Sequence, residues 1–249
     1  MLMHPIPCAT IWGGTGSESI DLRSRSVEAS LFSSPAKGGR GGDVYFLSVC
    51  GEDALTRIAL ADVAGHGEAV SDVSGWLYEA LAARMQSLEG DGVLADLNAL
   101  ALERGIGALT TAAVAAFDRE DSNVYVAYAG HPPILVQRRG EKRWEAAEID
   151  AASAAPANLP LGVLPEARYD QRAIRARSGD RLFLYTDGLT DCRSPEGERF
   201  GEERLRSALE GRASAGPREL KEGVLEAVRD FTEGSLAHDD VTLIAIEIR

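Results

Sequence analysis

The sequence predicts an α+β sandwich, antiparallel sheets with helices packed outside, and three observations lead there. Segments rich in β-branched and aromatic residues and bounded by turn residues recur along the chain. Helical spacing is confined to two pairs of segments, one near 66–104 and one near 201–232. Strands, a helix pair, more strands, a second helix pair and a last strand do not make the regular alternation of a doubly wound parallel sheet. The 249 residues, 45% apolar and 26% charged, suffice for a substantial core and are read as one domain spanning 1–249.

In chain order, strands are expected at 20–32, 43–50 and 56–62, the latter two carrying Val-Tyr-Phe-Leu-Ser-Val-Cys and Thr-Arg-Ile-Ala-Leu-Ala. A helix follows over 66–87, where Val70, Val73, Leu77, Ala80, Leu81 and Met85 form one apolar stripe. Glu89-Gly-Asp-Gly breaks it, and a partner helix over 92–104 presents Val93, Leu94, Leu97, Leu100 and Ala101, so the two form a helical hairpin. Strands are expected again at 110–118, 123–129 and 133–138, and the aperiodic stretch 146–160, rich in Ala, Ser, Asp and Pro, reads as an exposed loop. A strand at 181–186, helices at 201–210 and 217–232 and a final strand at 240–248 complete the chain.

Four aspartate motifs stand where apolar runs give way to turns: Asp43 in Gly-Gly-Asp, Asp62 in Ala-Asp-Val-Ala-Gly-His-Gly, Asp187 in Tyr-Thr-Asp-Gly, and Asp239-Asp240 in His-Asp-Asp-Val-Thr. Singly, each has an ordinary reading as a cap, an Asx turn or a solvated strand edge. Together they offer hard carboxylate oxygens without a Cys or His pattern, which suits Mg²⁺ or Mn²⁺ better than zinc and points to phosphate-ester hydrolysis. Gly65 and Gly67 would let the backbone approach a cation and expose the Val63 carbonyl as a further ligand. Arg40, in a glycine-dense loop without Walker spacing, could grip a substrate phosphate. Of the histidines, His131 before two prolines reads as a loop residue, and His66 lies close in sequence to Asp62 as a proton-donor candidate. The Asp187 motif is similar to the DxDGT signature of haloacid dehalogenase-type phosphatases, but Tyr185 stands where that nucleophilic aspartate would fall, which disfavours an aspartyl-phosphate mechanism.

Composition excludes other classes. Cys8, Cys50 and Cys192 are odd in number and widely spaced, so neither a disulfide framework nor a zinc knuckle is indicated. A net charge of −13 with no outstanding Lys/Arg cluster argues against nucleic acid. No apolar stretch approaches the roughly 20 residues that span a bilayer and no signal peptide opens the chain, so no membrane role is expected and the expected location is the cytoplasm.

The motifs Gly-Gly-Asp, Ala-Asp-Val-x-Gly-His-Gly, Tyr-x-x-Ala-Gly-His-x-Pro, Leu-Pro-Leu-Gly-Val, Gly-Asp-Arg-Leu-x-Leu-Tyr-Thr-Asp-Gly, Phe-Gly-x-x-Arg-Leu and Asp-Asp-x-Thr-Leu occur in this order over about 25–249. In that order the chain resembles the SpoIIE/RsbU branch of the metal-dependent (PPM, type 2C-like) protein phosphatases. The resemblance implies a four-layer αββα sandwich with two Mn²⁺ or Mg²⁺ ions at one end. It makes Asp62 the bridging ligand, Val63 a carbonyl ligand, and Asp43, Asp187 and Asp239 the other carboxylates, with Asp240 supporting them. Asp62, Asp187 and His66 are then the catalytic group, acting on phosphoserine or phosphothreonine through a metal-activated water. The implied substrate is a phosphorylated STAS-type anti-sigma-factor antagonist in a partner-switching pathway of stress or development, with an activating protein contacting the helical pair 66–104. Phe46 and Tyr128 depart from the pattern, where the family usually has an acid and an asparagine. On them rests the alternative of a catalytically weak pseudophosphatase that binds phosphoproteins.

Overall fold

In the computed structural model, which describes residues 8–36, 39–50, 52–65, 68–85, 89–105, 109–149, 157–234 and 239–249, two six-stranded antiparallel sheets face each other. Numbered in chain order, one sheet runs β1 (Cys8–Gly16), β4 (Arg40–Cys50), β5 (Leu55–Val63), β6 (Thr110–Asp118), β7 (Asn123–Ala129), β10 (Gln171–Arg175). The other runs β2 (Glu18–Arg23), β3 (Val27–Ser34), β12 (Val241–Ile248), β11 (Arg181–Tyr185), β8 (Leu135–Gln137), β9 (Trp144–Ala146). Helices α1 (Glu68–Arg84) and α2 (Gly90–Arg104) cover the first sheet, and α3 (Asp187–Asp191), α4 (Gly201–Glu210) and α5 (Pro217–Phe231) the second.

Period-two burial builds the layers. On β4, Val44 and Phe46 pack toward Leu77, Leu81, Leu94 and Leu97 of the helices, while Tyr45 and Leu47 join Leu182, Leu184, Ile244 and Ile246 between the sheets. On β12 the alternate residues Leu243 and Ala245 meet Leu205, Leu220, Val224 and Val228 on the other side. The result is the expected αββα order. Each full burial of such a side chain contributes about 1.5–3 kcal/mol, whereas the mostly exposed ion pairs contribute little, so the three cores hold the fold.

Several boundaries differ from expectation. The single strand expected over 20–32 is two, parted at Ser24–Ser26, where the buried Asp53 accepts hydrogen bonds from Ser24 Oγ at 3.1 Å and Ser26 N at 2.9 Å. β1 escapes periodicity because Gly13, Gly14 and Gly16 interrupt it; a Cβ on Gly13 would stand 2.5 Å from the Tyr78 ring of α1. β10, Gln-Arg-Ala-Ile-Arg, lacks apolar alternation because it is a charged edge strand. The loop expected at 146–160 contains residues 150–156, outside the described ones. Among the described residues no helix is long and apolar enough to cross a membrane.

Candidate metal centre

Antiparallel pairing brings the aspartates to one end of the sandwich. Val44 pairs with Ala61, so Asp43 near the start of β4 lies beside Asp62 near the end of β5. On the other sheet Tyr185 pairs with Leu243, so Asp187, just past β11, lies beside Asp239, just before β12. Thr186 helps tie the two halves: its Oγ1 donates to Asp43 Oδ2 at 2.9 Å, while Thr242 N donates to Thr186 Oγ1 at 3.0 Å. Thr186 was not singled out from sequence; its only signal was its place before Asp187.

The environment of these carboxylates is electrostatically unfavourable. Asp43 is buried, and its Oδ1 has no hydrogen-bond partner. Burial first, and then the Asp62 charge, push its carboxyl well above the usual range, against the pull of the Thr242 and Thr186 hydrogen bonds. Asp62 is pushed up to about 7 by burial and by Asp187, Asp239 and Asp240. Asp187 is raised too, by partial burial and then by Asp191 and Asp239, with Arg199 acting in the opposite sense. Asp191, one turn further along α3, is a member of this acidic group that sequence reasoning missed; it pairs with Arg199 at 3.0 Å.

Close backbone packing explains the glycines. A Cβ on Gly42 would collide with the Val63 carbonyl oxygen, and one on Gly41 with the Asp240 carboxylate. A Cβ on Gly188 would collide with the Asp240 carbonyl, so Asp187-Gly188 marks a close approach of α3 to β12 rather than a plain turn. Asp240 is buried and spends both oxygens on backbone N–H groups, Oδ1 on Ala36 at 2.7 Å and Oδ2 on Gly42. Through these bonds it pins the Gly41–Asp43 segment, while its charge still acts on Asp62.

The other named residues divide. Arg40 is exposed at the start of β4. His66 lies outside the described residues. His131 is buried, its Nδ1 3.1 Å from the Pro132 carbonyl, and burial lowers it to about 4. Phe46 packs in the core beneath α1 and α2. Tyr128 donates to the Ala147 carbonyl at 3.0 Å and accepts from Ile134 N at 3.1 Å between the sheets, so neither departure from the motif pattern belongs to the acidic end.

Among the described residues no three His, Cys, Asp or Glu side chains converge closely enough to enclose an ion. The donor set nevertheless fits a hard divalent cation: oxygen-only, clustered, and with a buried carboxylate oxygen left without a donor.

Known proteins share sequence and fold with this chain. The family described as Stage II sporulation protein E (SpoIIE) matches residues 52–249. Protein IcfG of Synechocystis is 30% identical over 129 residues, covering 52% of this chain and 19% of IcfG. Phosphoserine phosphatase RsbU of Bacillus subtilis is 25% identical over 233 residues, covering 90% of this chain and 64% of RsbU. The chain thus spans less than two thirds of either relative. Among solved structures, the RsbU and RsbW domains of Rv1364c from Mycobacterium tuberculosis superpose with TM-score 0.77 at 22% identity, over 94% of this chain and 63% of that one. RsbX in complex with magnesium superposes with TM-score 0.67 at 16% identity, over 93% of this chain and all of that one. These likenesses show a shared fold.

Proposed function

The chain belongs to the SpoIIE family, and from that premise we propose that it is a divalent-cation-dependent phosphatase hydrolysing phosphoserine or phosphothreonine in a protein partner. The observation that carries this reading is the partnerless buried Oδ1 of Asp43 beside an Asp62 carboxyl held up to about 7, an arrangement costly to fold unless a cation neutralises it. Asp43, Asp62, Asp187, Asp239 and the Val63 carbonyl would hold two Mn²⁺ or Mg²⁺ ions, a cation class supported by the magnesium carried by RsbX. Bound there, such ions lower the pKa of water and stabilise charge on phosphoryl oxygens.

The chain's own residues prepare that site. Thr186 ties up one oxygen of Asp43 and leaves the other free. Asp240 fixes the Gly41–Asp43 segment, and Gly188 admits Asp187 next to Asp239. Arg40 would meet the incoming phosphate, and His66 would donate a proton to the departing serine or threonine oxygen. Nothing here needs a phosphoenzyme: the residue two before Asp187 is the buried Tyr185.

For a substrate, the name Phosphoserine phosphatase RsbU supports a phosphoserine protein, and the order of sequence motifs extends the reading to a phosphorylated STAS-type antagonist of an anti-sigma factor, acted on in the cytoplasm. A binding module without turnover would rest on Phe46 and Tyr128, and both are spent in the core. The test is hydrolysis of p-nitrophenyl phosphate and of phosphorylated STAS proteins with Mn²⁺ or Mg²⁺. Asp62→Asn and Asp187→Asn are expected to fold and to lose both activities; full activity in excess chelator would overturn the reading.

A further inference from the structure

The end of the sandwich opposite the acidic centre has the reverse charge. β12 leaves Asp239 and runs eight residues, roughly 25 Å, to Ile248, more than two Debye lengths at physiological salt. There the turns 24–26, 138–143 and 177–180 meet around two adjoining clefts. One, of about 730 Å³, is lined by Arg25, Arg139, Lys142 and Arg181, and the other, of about 620 Å³, by Arg139, Arg175 and Arg177.

Buried carboxylates build this end and leave its cations outside. Asp180, 3% exposed, accepts from Arg139 N at 2.8 Å, from Arg177 N at 3.1 Å and from Arg138 Nη1 at 2.9 Å, tying the turn after β8 to the turn before β11. Asp53 does the same for the third turn, accepting from the backbone N–H groups of Arg25 and Ser26. Gly179, at φ +90° and with Arg139 side-chain carbons 2.8 Å from where its Cβ would lie, lets that arginine cross the 177–180 turn. Glu247 is taken by Arg181 at 2.8 Å. Arg25, Arg139, Lys142 and Arg177 have no carboxylate within ion-pair distance among the described residues, and Glu141 is the one lining acidic side chain left unpaired. Four free cations are thus held on turns whose backbones are already fixed, so a ligand would meet them largely pre-ordered.

We infer that these clefts form a second binding site, for a small polyphosphorylated ligand. The volume suits a small molecule. No aromatic side chain lines either cleft, so recognition falls on the anionic groups rather than on a stacked base, and guanidinium forks match phosphate oxygens in pairs. An acidic protein is the poorer match, because it would face the rest of a chain of net charge −13, whereas a small ligand within a Debye length of the clefts meets the arginines alone.

The test is calorimetric titration of the full chain with sodium tripolyphosphate in excess chelator, which keeps cations from bridging the ligand to the acidic end. One saturable site is expected, weakened roughly tenfold or more in Arg139→Gln and in Arg177→Gln. Affinity should be unchanged in Asp62→Asn and in Arg218→Gln on α5, and thermal unfolding would establish that each variant is folded. The inference is overturned by absence of saturation at millimolar ligand or by affinity that survives loss of both arginines. It is equally overturned if a glutamate-rich peptide binds these arginines more tightly than tripolyphosphate. None of these outcomes depends on phosphatase turnover.

Discussion

Single carboxylates at the acidic end work against folding until something neutralises them. Asp62 in the folded chain titrates near 7, above its ordinary 3.8, because burial and then Asp187, Asp239 and Asp240 disfavour its charge. Its contribution to stability is therefore complete below pH 3.8 and lost as pH rises through 7. Asp62→Asn removes that conflict, so in chelator at pH 8 the variant should unfold at higher denaturant, by on the order of 2–4 kcal/mol, although it is inactive. A variant less stable than the parent would count against the repulsion. His131 behaves in the opposite sense: burial lowers it to about 4 from 6.5, so its contribution is present above pH 6.5 and disappears as pH falls through 4. The difference in unfolding free energy between the parent and His131→Gln should shrink by about 3 kcal/mol over that window. A pH-independent difference would mean that the imidazole titrates alike in the folded and unfolded chain.

Elements position the site through contacts that no local pattern contains. α3 starts at Asp187 and lies against β12 only because Gly188 has no Cβ. Gly188→Ala should push α3 off the Asp240 carbonyl and lower kcat by at least about tenfold with the sheets intact, readable as lost turnover beside unchanged far-UV dichroism. Asp240→Ala should strand the N–H groups of Ala36 and Gly42, costing about 3 kcal/mol or more in denaturant unfolding and weakening cation binding as the Gly41–Asp43 segment loosens. In the sequence both residues looked like turn and edge chemistry. Longer elements with clear periodicity were legible, as at Val70, Leu77 and Leu81 of α1 or across β12. β1 and β10 were not, since glycines chosen for the approach of Tyr78 and an edge strand built of Gln and Arg carry no apolar alternation.

Across the whole molecule, cation binding should couple to folding. A divalent ion that binds the folded acidic end but not the unfolded chain adds about 2.7 kcal/mol at a hundred times its Kd. Mn²⁺ should then raise the thermal midpoint of the parent and leave that of Asp62→Asn nearly unmoved; equal shifts in both would place the ion elsewhere. The sequence by itself determined the sandwich class and the family and singled out four aspartate motifs, because periodicity and short motifs are local properties that survive in one dimension. It also read the chain as acidic without a basic cluster, and passed over the run Arg138-Arg139-Gly-Glu-Lys142-Arg143, which the net charge of −13 outweighs. Only the tertiary structure decided that Asp43 leaves an oxygen without a partner, that Thr186 bridges the sheets and that Asp240 supports the site from behind. It likewise gathered Arg25, Arg139, Lys142 and Arg177 at one end. The physical reason is the same in each case: burial, close approach and the summation of charge depend on residues distant in sequence, which strand pairing within each sheet and the facing of the two sheets bring together.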